Sequence, residues 1–275
     1  MEELERNTDS KGFKRLKNEV SRMIGVDYDN YSKSHLRRRF HARMRVVGTS
    51  SFIDYLNYLR SNREEIKNLR KLLTVNVTKF KRDEKVWKSI ENEVMPHLLE
   101  KKNESILKKI ECWSAGCSTG EEPYSLAISY LNNRPSDDLS FKILATDLDE
   151  EALDFARNAK YPSKSLNNLS SSEKKKYFKI EDGDEWELAD KVKDLVDYKR
   201  HDIFKTSITK KFDLILCRNL MIYFNNESKS QLMKRFVGSL KDGGFLIIGM
   251  SENLRSPAKE NVESYDLKKR IFVKG

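Results

Sequence analysis

Four short runs in this 275-residue chain place small, acidic and cationic residues where they could meet a ligand. In WSAGCSTGEEPYS (113–125) an apolar run enters a loop of small residues and then a helix. Gly116 and Gly120 lack a Cβ and so allow close backbone approach, and Pro123 suits a first helical turn. The loop lacks the GxGxxG fingerprint and puts Glu121 and Glu122 where a pyrophosphate would sit. That speaks against NAD or ATP and for a cationic or zwitterionic ligand. The plainer alternative is a tight turn whose glutamates complement the helix dipole. In ILATDLDEEALDFARNA (143–159), Asp147 closes a strand where dinucleotide folds place the acid that holds ribose, and one carboxylate can accept both sugar hydroxyls. Asp149, just before Glu150, Glu151 and an apolar periodic run, reads as the helix N-cap.

FDLILCRNLMIYF (212–224) reads as a buried strand that ends in Arg218 and Asn219, followed by Tyr223. Ligands of open α/β sheets bind beyond the carboxyl ends of the strands. Arg218 could therefore hold a carboxylate, and Tyr223 could face a cation or orient a substrate. TVNVTKFKRD (74–83) carries Asn76, Thr78 and Arg82 among Val75, Val77 and Phe80. By itself this run reads as an ordinary linker.

The elements that must position these residues fall into two textures. Residues 11–75 read as helices, with apolar residues at helical spacing. From about residue 105, strand-like runs alternate with helical ones, the signature of a doubly wound α/β fold. The tail NVESYDLKKRIFVKG (261–275) reads as two further strands forming an antiparallel edge. A Ser/Lys-rich and then acidic segment interrupts the rhythm and reads as an inserted subdomain over about 161–198. The expected division is a helical domain over 1–82, a linker helix over 83–105, and an α/β domain over 106–275.

Composition narrows the function classes. The chain is 38% hydrophobic and 35% charged, with a net charge of +10 concentrated in its first hundred residues. No run reaches the ~20 apolar residues of a membrane span and no secretory leader is visible, so the chain reads as cytoplasmic and not inserted in a membrane. Cys112, Cys117 and Cys217 fit no disulfide framework, and with His35, His41, His97 and His201 scattered, no metal site is expected. The basic surface predicts an acidic partner: nucleic acid, membrane or protein.

Taken together, NVTKFKR (76–82), WSAGCSTGEEPYSLA (113–127), ILATDLD (143–149), FDLILCRNLMIYF (212–224) and GGFLIIGMSENL (243–254) resemble the CheR chemotaxis receptor methyltransferases over nearly the whole chain. The resemblance implies a small all-α domain before a Rossmann-like methyltransferase domain with a mostly parallel sheet, an antiparallel edge and a small inserted β subdomain. It implies transfer of methyl from S-adenosylmethionine to receptor glutamates, giving methyl esters and S-adenosylhomocysteine. Carried over residue by residue, Asn76, Thr78, Arg82, Gly116, Glu122, Asp147, Asp202, Ile203, Arg218 and Asn219 would line the cofactor. Glu122 would face its methionine part, Asp147 its ribose, and Asp202 and Ile203 its adenine. Arg82, Tyr223 and Arg218 are the expected catalytic residues. Two positions depart from the family: Lys81 stands where a second aromatic is usual, and Asp202 where Asn is common.

The resemblance also implies that the partner is the acidic helical bundle of a receptor's cytoplasmic region. The chain is expected to act as a monomer, to bind no nucleic acid, and to need no receptor-tail tether, because the insert around Glu181–Asp190 is short. On the run from Ser34 to Val47, Leu36, Phe40, Met44 and Val47 should face inward. Arg37, Arg38 and Arg45 should point away, with Arg39 and Arg43 along the edge of that stripe, so all five arginines are candidates for reading the substrate. A nucleic-acid methyltransferase is disfavoured, since RNLMIY stands where DNA enzymes carry an Asn/Asp-Pro-Pro-Tyr run. A non-catalytic adaptor is disfavoured by the intact Arg82, Glu122, Asp147 and Tyr223.

Overall fold

The computed structural model describes residues 2–74, 76–134, 138–180, 183–254 and 258–275; for residues 2–8 and 258–259 only the backbone is described. The chain divides into two compact units, one formed by residues 1–75 with 223–229 and the other by residues 76–222 with 230–275.

The first unit is helical: α1 (Glu2–Ile24), α2 (Lys33–Val47), α3 (Phe52–Ser61) and α4 (Arg63–Leu73). Their apolar faces close on one another through Phe13, Leu16, Leu36, Phe40, Phe52, Leu56 and Leu69, all buried. The Phe13 ring packs against Phe40 at 5.9 Å and Phe52 at 5.6 Å between centroids. Gly48, at φ 74°, ends α2 in the left-handed conformation that glycine adopts without strain. Ser51 caps α3 by accepting the Asp54 N–H at 3.1 Å. Residues 223–229 complete this unit. Ser32 donates its N–H to the Tyr223 carbonyl at 2.9 Å, Asn225 donates its N–H to the Asn30 carbonyl at 2.9 Å, and the Tyr31 and Phe224 rings meet at 5.0 Å.

The second unit opens with a helical stretch, α5 (Glu84–Ser89), a π turn at 90–94 and α6 (Met95–Asn103). It continues through β1 (Lys109–Ala115), α7 (Glu121–Asn133), β2 (Ser140–Asp147) and α8 (Glu150–Asn158). There follow β3 (Lys160–Pro162), α9 (Ser171–Tyr177), β4 (Phe178–Ile180), β5 (Glu185–Leu188) and α10 (Asp190–Lys193). The rest is β6 (Val196–Arg200), β7 (Phe212–Cys217), α11 (Asn226–Ser239), β8 (Leu240–Ile248), β9 (Val262–Asp266) and β10 (Ile271–Lys274).

Seven strands form one sheet in the order β6-β2-β1-β7-β8-β10-β9. The first five are parallel, and β10 runs antiparallel to both β8 and β9. Every residue of β7 is buried, as expected of a central parallel strand covered on both faces. The strand order reverses between β1 and β7, so the crevice for a ligand lies at the carboxyl ends of these strands.

The insert is a separate antiparallel sheet, β3-β5-β4, with α9 preceding β4. The main sheet resumes at Val196, so β6 takes in the last residues expected in the insert. Ser170 and Glu173 form a capping box at the start of α9. Glu181 and Asp182, part of the acidic run, lie outside the described residues.

Candidate active site

β2 delivers Asp147 at its last residue, beside the loop that leaves β1. Two backbone amides hold its carboxylate: Ser118 N–H at 2.8 Å and Asp149 N–H at 3.0 Å. A carboxylate offers about four lone-pair directions, and the Leu148 N–H draws on this one as well, which still leaves room for a ligand hydroxyl. Burial pushes the Asp147 carboxyl upward, against the pull of those same amides. Asp149 is the helix cap, accepting the Glu151 N–H at 3.3 Å. Its other oxygen takes the Asn76 side-chain amide at 2.9 Å, while the Asn76 carbonyl oxygen accepts the Ser118 hydroxyl at 3.1 Å. Asn76 thus ties the 76–83 segment to both the β1 loop and the β2 end.

Glu122, in the first turn of α7, accepts the Ser114 hydroxyl at 2.8 Å and an Arg218 N–H at 3.3 Å. Burial pushes its carboxyl upward, with Arg218 opposing. Around the loop the anionic groups are Asp147, Asp149, Glu121 and Glu122. The Arg218 guanidinium among them is already engaged by Glu122 and by Asp83 at 2.8 Å. Such a donor set repels a phosphate and suits an ammonium together with a ribose diol, the two polar ends of S-adenosylmethionine.

Several expectations need correcting. Gly116 and Gly120, expected to let the backbone approach a ligand closely, also make room for protein with their missing Cβ atoms. A Cβ on Gly116 would come within 2.8 Å of Leu220, and one on Gly120 within 2.6 Å of the Tyr198 hydroxyl, with φ at 76° and 93°. Arg218 does not present a free fork. Its side chain is 2% exposed and donates to the Arg82 carbonyl at 2.7 Å as well as to the two acids. It therefore acts as a positioning residue for Glu122 and for the 82–83 backbone. Asp202 caps its own turn, accepting the Phe204 N–H at 3.0 Å, and the Ile203 carbonyl accepts Arg235 at 2.6 Å. The His201 N–H donates to the Asp147 carbonyl at 2.9 Å, which brings the 201–203 segment to the end of β2. Asn219 is left-handed at φ 59°, Thr78 is half-buried, and Arg82 donates to the Val77 carbonyl at 2.7 Å.

Tyr223 belongs to the helical unit, where its ring packs on His35 at 4.9 Å. Of the five α2 arginines, two were misread. Arg37 does not point away: it lies 4.5 Å over the Phe13 ring and pairs with Asp9 at 2.5 Å. Arg43 is bound through two nitrogens to the buried Glu65, which also accepts the Tyr55 hydroxyl at 2.7 Å. Arg39 is half-buried, and Arg38 and Arg45 are exposed. Val47, expected inside, is half-exposed.

Sequence reasoning missed Glu252 and His35. Glu252, within the quoted GGFLIIGMSENL run, is 4% exposed and accepts the N–H groups of Met221 at 2.8 Å and Gly249 at 2.7 Å. It thereby fixes the turn after β7. His35 is buried beside Arg38 and Arg39, and burial with those charges lowers its pKa to about 4.

A switch-point crevice that is anionic, ends in a ribose-type acid and offers no phosphate cradle defines a class, the S-adenosylmethionine-dependent methyltransferases. The chain belongs to the CheR methyltransferase family: its all-alpha domain model matches residues 11–74 and its SAM binding domain model residues 76–271. Among curated relatives, a chemotaxis protein methyltransferase of Listeria monocytogenes is 35% identical, covering 87% of this chain and 88% of its own length. One of Borreliella burgdorferi is 34% identical over 87% and 89%. A solved structure of PKMT2 from Rickettsia typhi is 16% identical, covering 62% of this chain and 26% of its own, with a TM-score of 0.36.

Proposed function

We propose that this enzyme methylates glutamate side chains on the cytoplasmic helical bundle of chemotaxis receptors, in the cytoplasm and without need of a metal. The observation that carries the reading is the anionic crevice built by Asp147 and Glu122 in a chain whose residues 11–74 and 76–271 the two CheR domain models match. When bound, S-adenosylmethionine supplies a sulfonium methyl that passes to a carboxylate oxygen, leaving a neutral thioether and an ester.

The chain's own residues prepare that transfer. Asp147 accepts the ribose hydroxyls, and Ser118 and Asp149 keep the carboxylate aimed. Glu122, steadied by Arg218, takes the ammonium. A substrate glutamate has an ordinary pKa near 4.3 and is already an anion at neutral pH, so no general base is required. The work left is orientation and removal of water from that anion. Arg82 is assigned to hold it, because a guanidinium stays charged and can bind two oxygens. Tyr223 is assigned to orient it. The exposed Arg38 and Arg45, with Arg39 between them, would attract the acidic bundle. Four residues separate β4 from β5. With so short a connection, the enzyme is proposed to work without a receptor-tail tether; separately, it is proposed to act as a monomer.

The test is transfer of labelled methyl to a receptor cytoplasmic fragment. Base-labile label on glutamate is expected. Tight S-adenosylmethionine binding with no transfer would mark a non-catalytic adaptor, and base-stable label would mean a different acceptor.

A further inference from the structure

The segment that carries Arg82 is held by an arrangement of charge that its reading as a linker does not anticipate. Lys81 is 7% exposed, and its ammonium forms ion pairs with two carboxylates: Glu173 at 2.5 Å, in α9 of the insert, and Glu91, in the π turn that follows α5. Glu173 is fully occupied. One oxygen takes Lys81 and the Asn132 amide at 3.0 Å, and the other takes the Ser170 N–H at 2.9 Å and hydroxyl at 2.8 Å. Burial alone would raise the Glu173 pKa, but Lys81 and the Ser170 N–H carry it below the ordinary value.

The backbone on either side is tied to the same surroundings. Phe80 donates its N–H to the Ser165 carbonyl at 3.1 Å, and its ring meets Tyr161 at 4.9 Å and Phe178 at 5.3 Å. The Lys81 N–H donates to the Ser125 hydroxyl at 2.9 Å, and the Lys81 carbonyl accepts the Asn168 amide at 3.2 Å. Lys81 and Asp83 are both left-handed, at φ 47° and 62°. A non-glycine residue persists in that region only where its surroundings hold it there. Lys81 is held by the two glutamates and Asp83 by Arg218. Arg82 lies between them with its side chain half-exposed.

We propose that Lys81 is a positioning residue: its buried ammonium, clamped by Glu91 and Glu173, fixes the strained backbone that aims Arg82. The inserted subdomain is then part of the active-site scaffold, because α9 supplies half of the clamp. The Arg82 side chain donates to the Val77 carbonyl within the same short segment, so its aim follows that of the backbone that carries it. The inference rests on the assignment of Arg82 to the substrate carboxylate.

K81M keeps the length of the side chain and removes its charge. In the full chain, K81M should lower kcat for methyl transfer about ten- to a hundredfold, the range for a misplaced orienting group. Its S-adenosylmethionine affinity, read by calorimetry, should stay within about threefold of wild type, since the loss is in orientation and not in cofactor binding. A merely structural lysine would lower Tm and kcat together in any background. A positioning lysine loses its effect on kcat once Arg82 is gone, so K81M/R82A should be no slower than R82A. Additive losses in the double variant overturn the proposal, as does a K81M kcat within about twofold of wild type while R82A is strongly slowed. Near-normal turnover in R82A removes the reading of Arg82 and the proposal with it. If K81M does not fold, E173Q, which keeps the Ser170 hydroxyl contact, decides by the same measurements.

Discussion

Replacing Asp147 by alanine separates a ligand-holding acid from a strand-end acid. In the structure its carboxylate satisfies two backbone amides, Ser118 at 2.8 Å and Asp149 at 3.0 Å, and is also drawn on by the Leu148 N–H. Without ligand, water can replace the carboxylate at both amides, so the folded state should lose only about 1 kcal/mol. With ligand bound, two ribose hydroxyls lose their acceptor and the amides are covered without a partner. Charged hydrogen bonds left unmade cost roughly 1–3 kcal/mol, which corresponds to an S-adenosylmethionine Kd about 5- to 150-fold weaker. Titration calorimetry on the folded variant measures this, with thermal unfolding run in parallel to keep stability and binding apart. D147N retains one acceptor oxygen and should fall between wild type and alanine. If both variants bind within about twofold of wild type, Asp147 only pins the turn and the assignment to ribose is wrong.

Three further outcomes are expected. R82A should slow methyl transfer about a hundred- to a thousandfold while keeping most of the cofactor affinity, with the residual rate read by single-turnover kinetics beside calorimetry; near-normal turnover would remove its assigned role. R38E/R45E should raise the Michaelis constant for a receptor fragment several-fold and leave cofactor binding intact, and wild-type activity should fall as salt shortens the Debye length below about 8–10 Å. Salt-insensitive turnover with normal kinetics in that variant would remove α2 as the receptor-reading element. Stability should fall as pH drops from about 6.5 toward 4, because the unfolded chain protonates His35 in that range and the folded chain, with His35 at about 4, resists. At roughly 1.4 kcal/mol per pH unit the loss approaches 2–3 kcal/mol, and H35Q should flatten that slope in urea melts.

The sequence carried local facts well and distant pairings poorly. Asp147 and Asp149 could be told apart because a strand end and a helix cap each leave a mark within a few residues. The alternation of apolar runs disclosed the parallel sheet, since buried strands such as 212–217 admit almost no polar residue. Arg218 was misjudged because its partner Asp83 lies 135 residues away, and nothing in RNLMIY announces it. Arg43 was placed at the edge of the apolar stripe without its partner for the same reason: the buried Glu65 sits on another helix. Lys81 was visible as a departure from the family pattern, but its two glutamates come from an insert and a π turn that periodicity does not reveal.

The return of residues 223–229 to the helical unit has a consequence for how the chain is made. The first 74 residues emerge from the ribosome early, yet the partners of Asn30, Tyr31 and Ser32 are Asn225, Phe224 and Tyr223. At translation rates of about 5–20 residues per second, the nascent helices wait on the order of ten to thirty seconds for that segment. During that interval Tyr31 and the Ser32 amide lack these partners, and the long loop that must close makes this a late contact for the helical unit. A ribosome stalled between these two stretches should therefore display a more protease-sensitive 28–34 region than one released past residue 229.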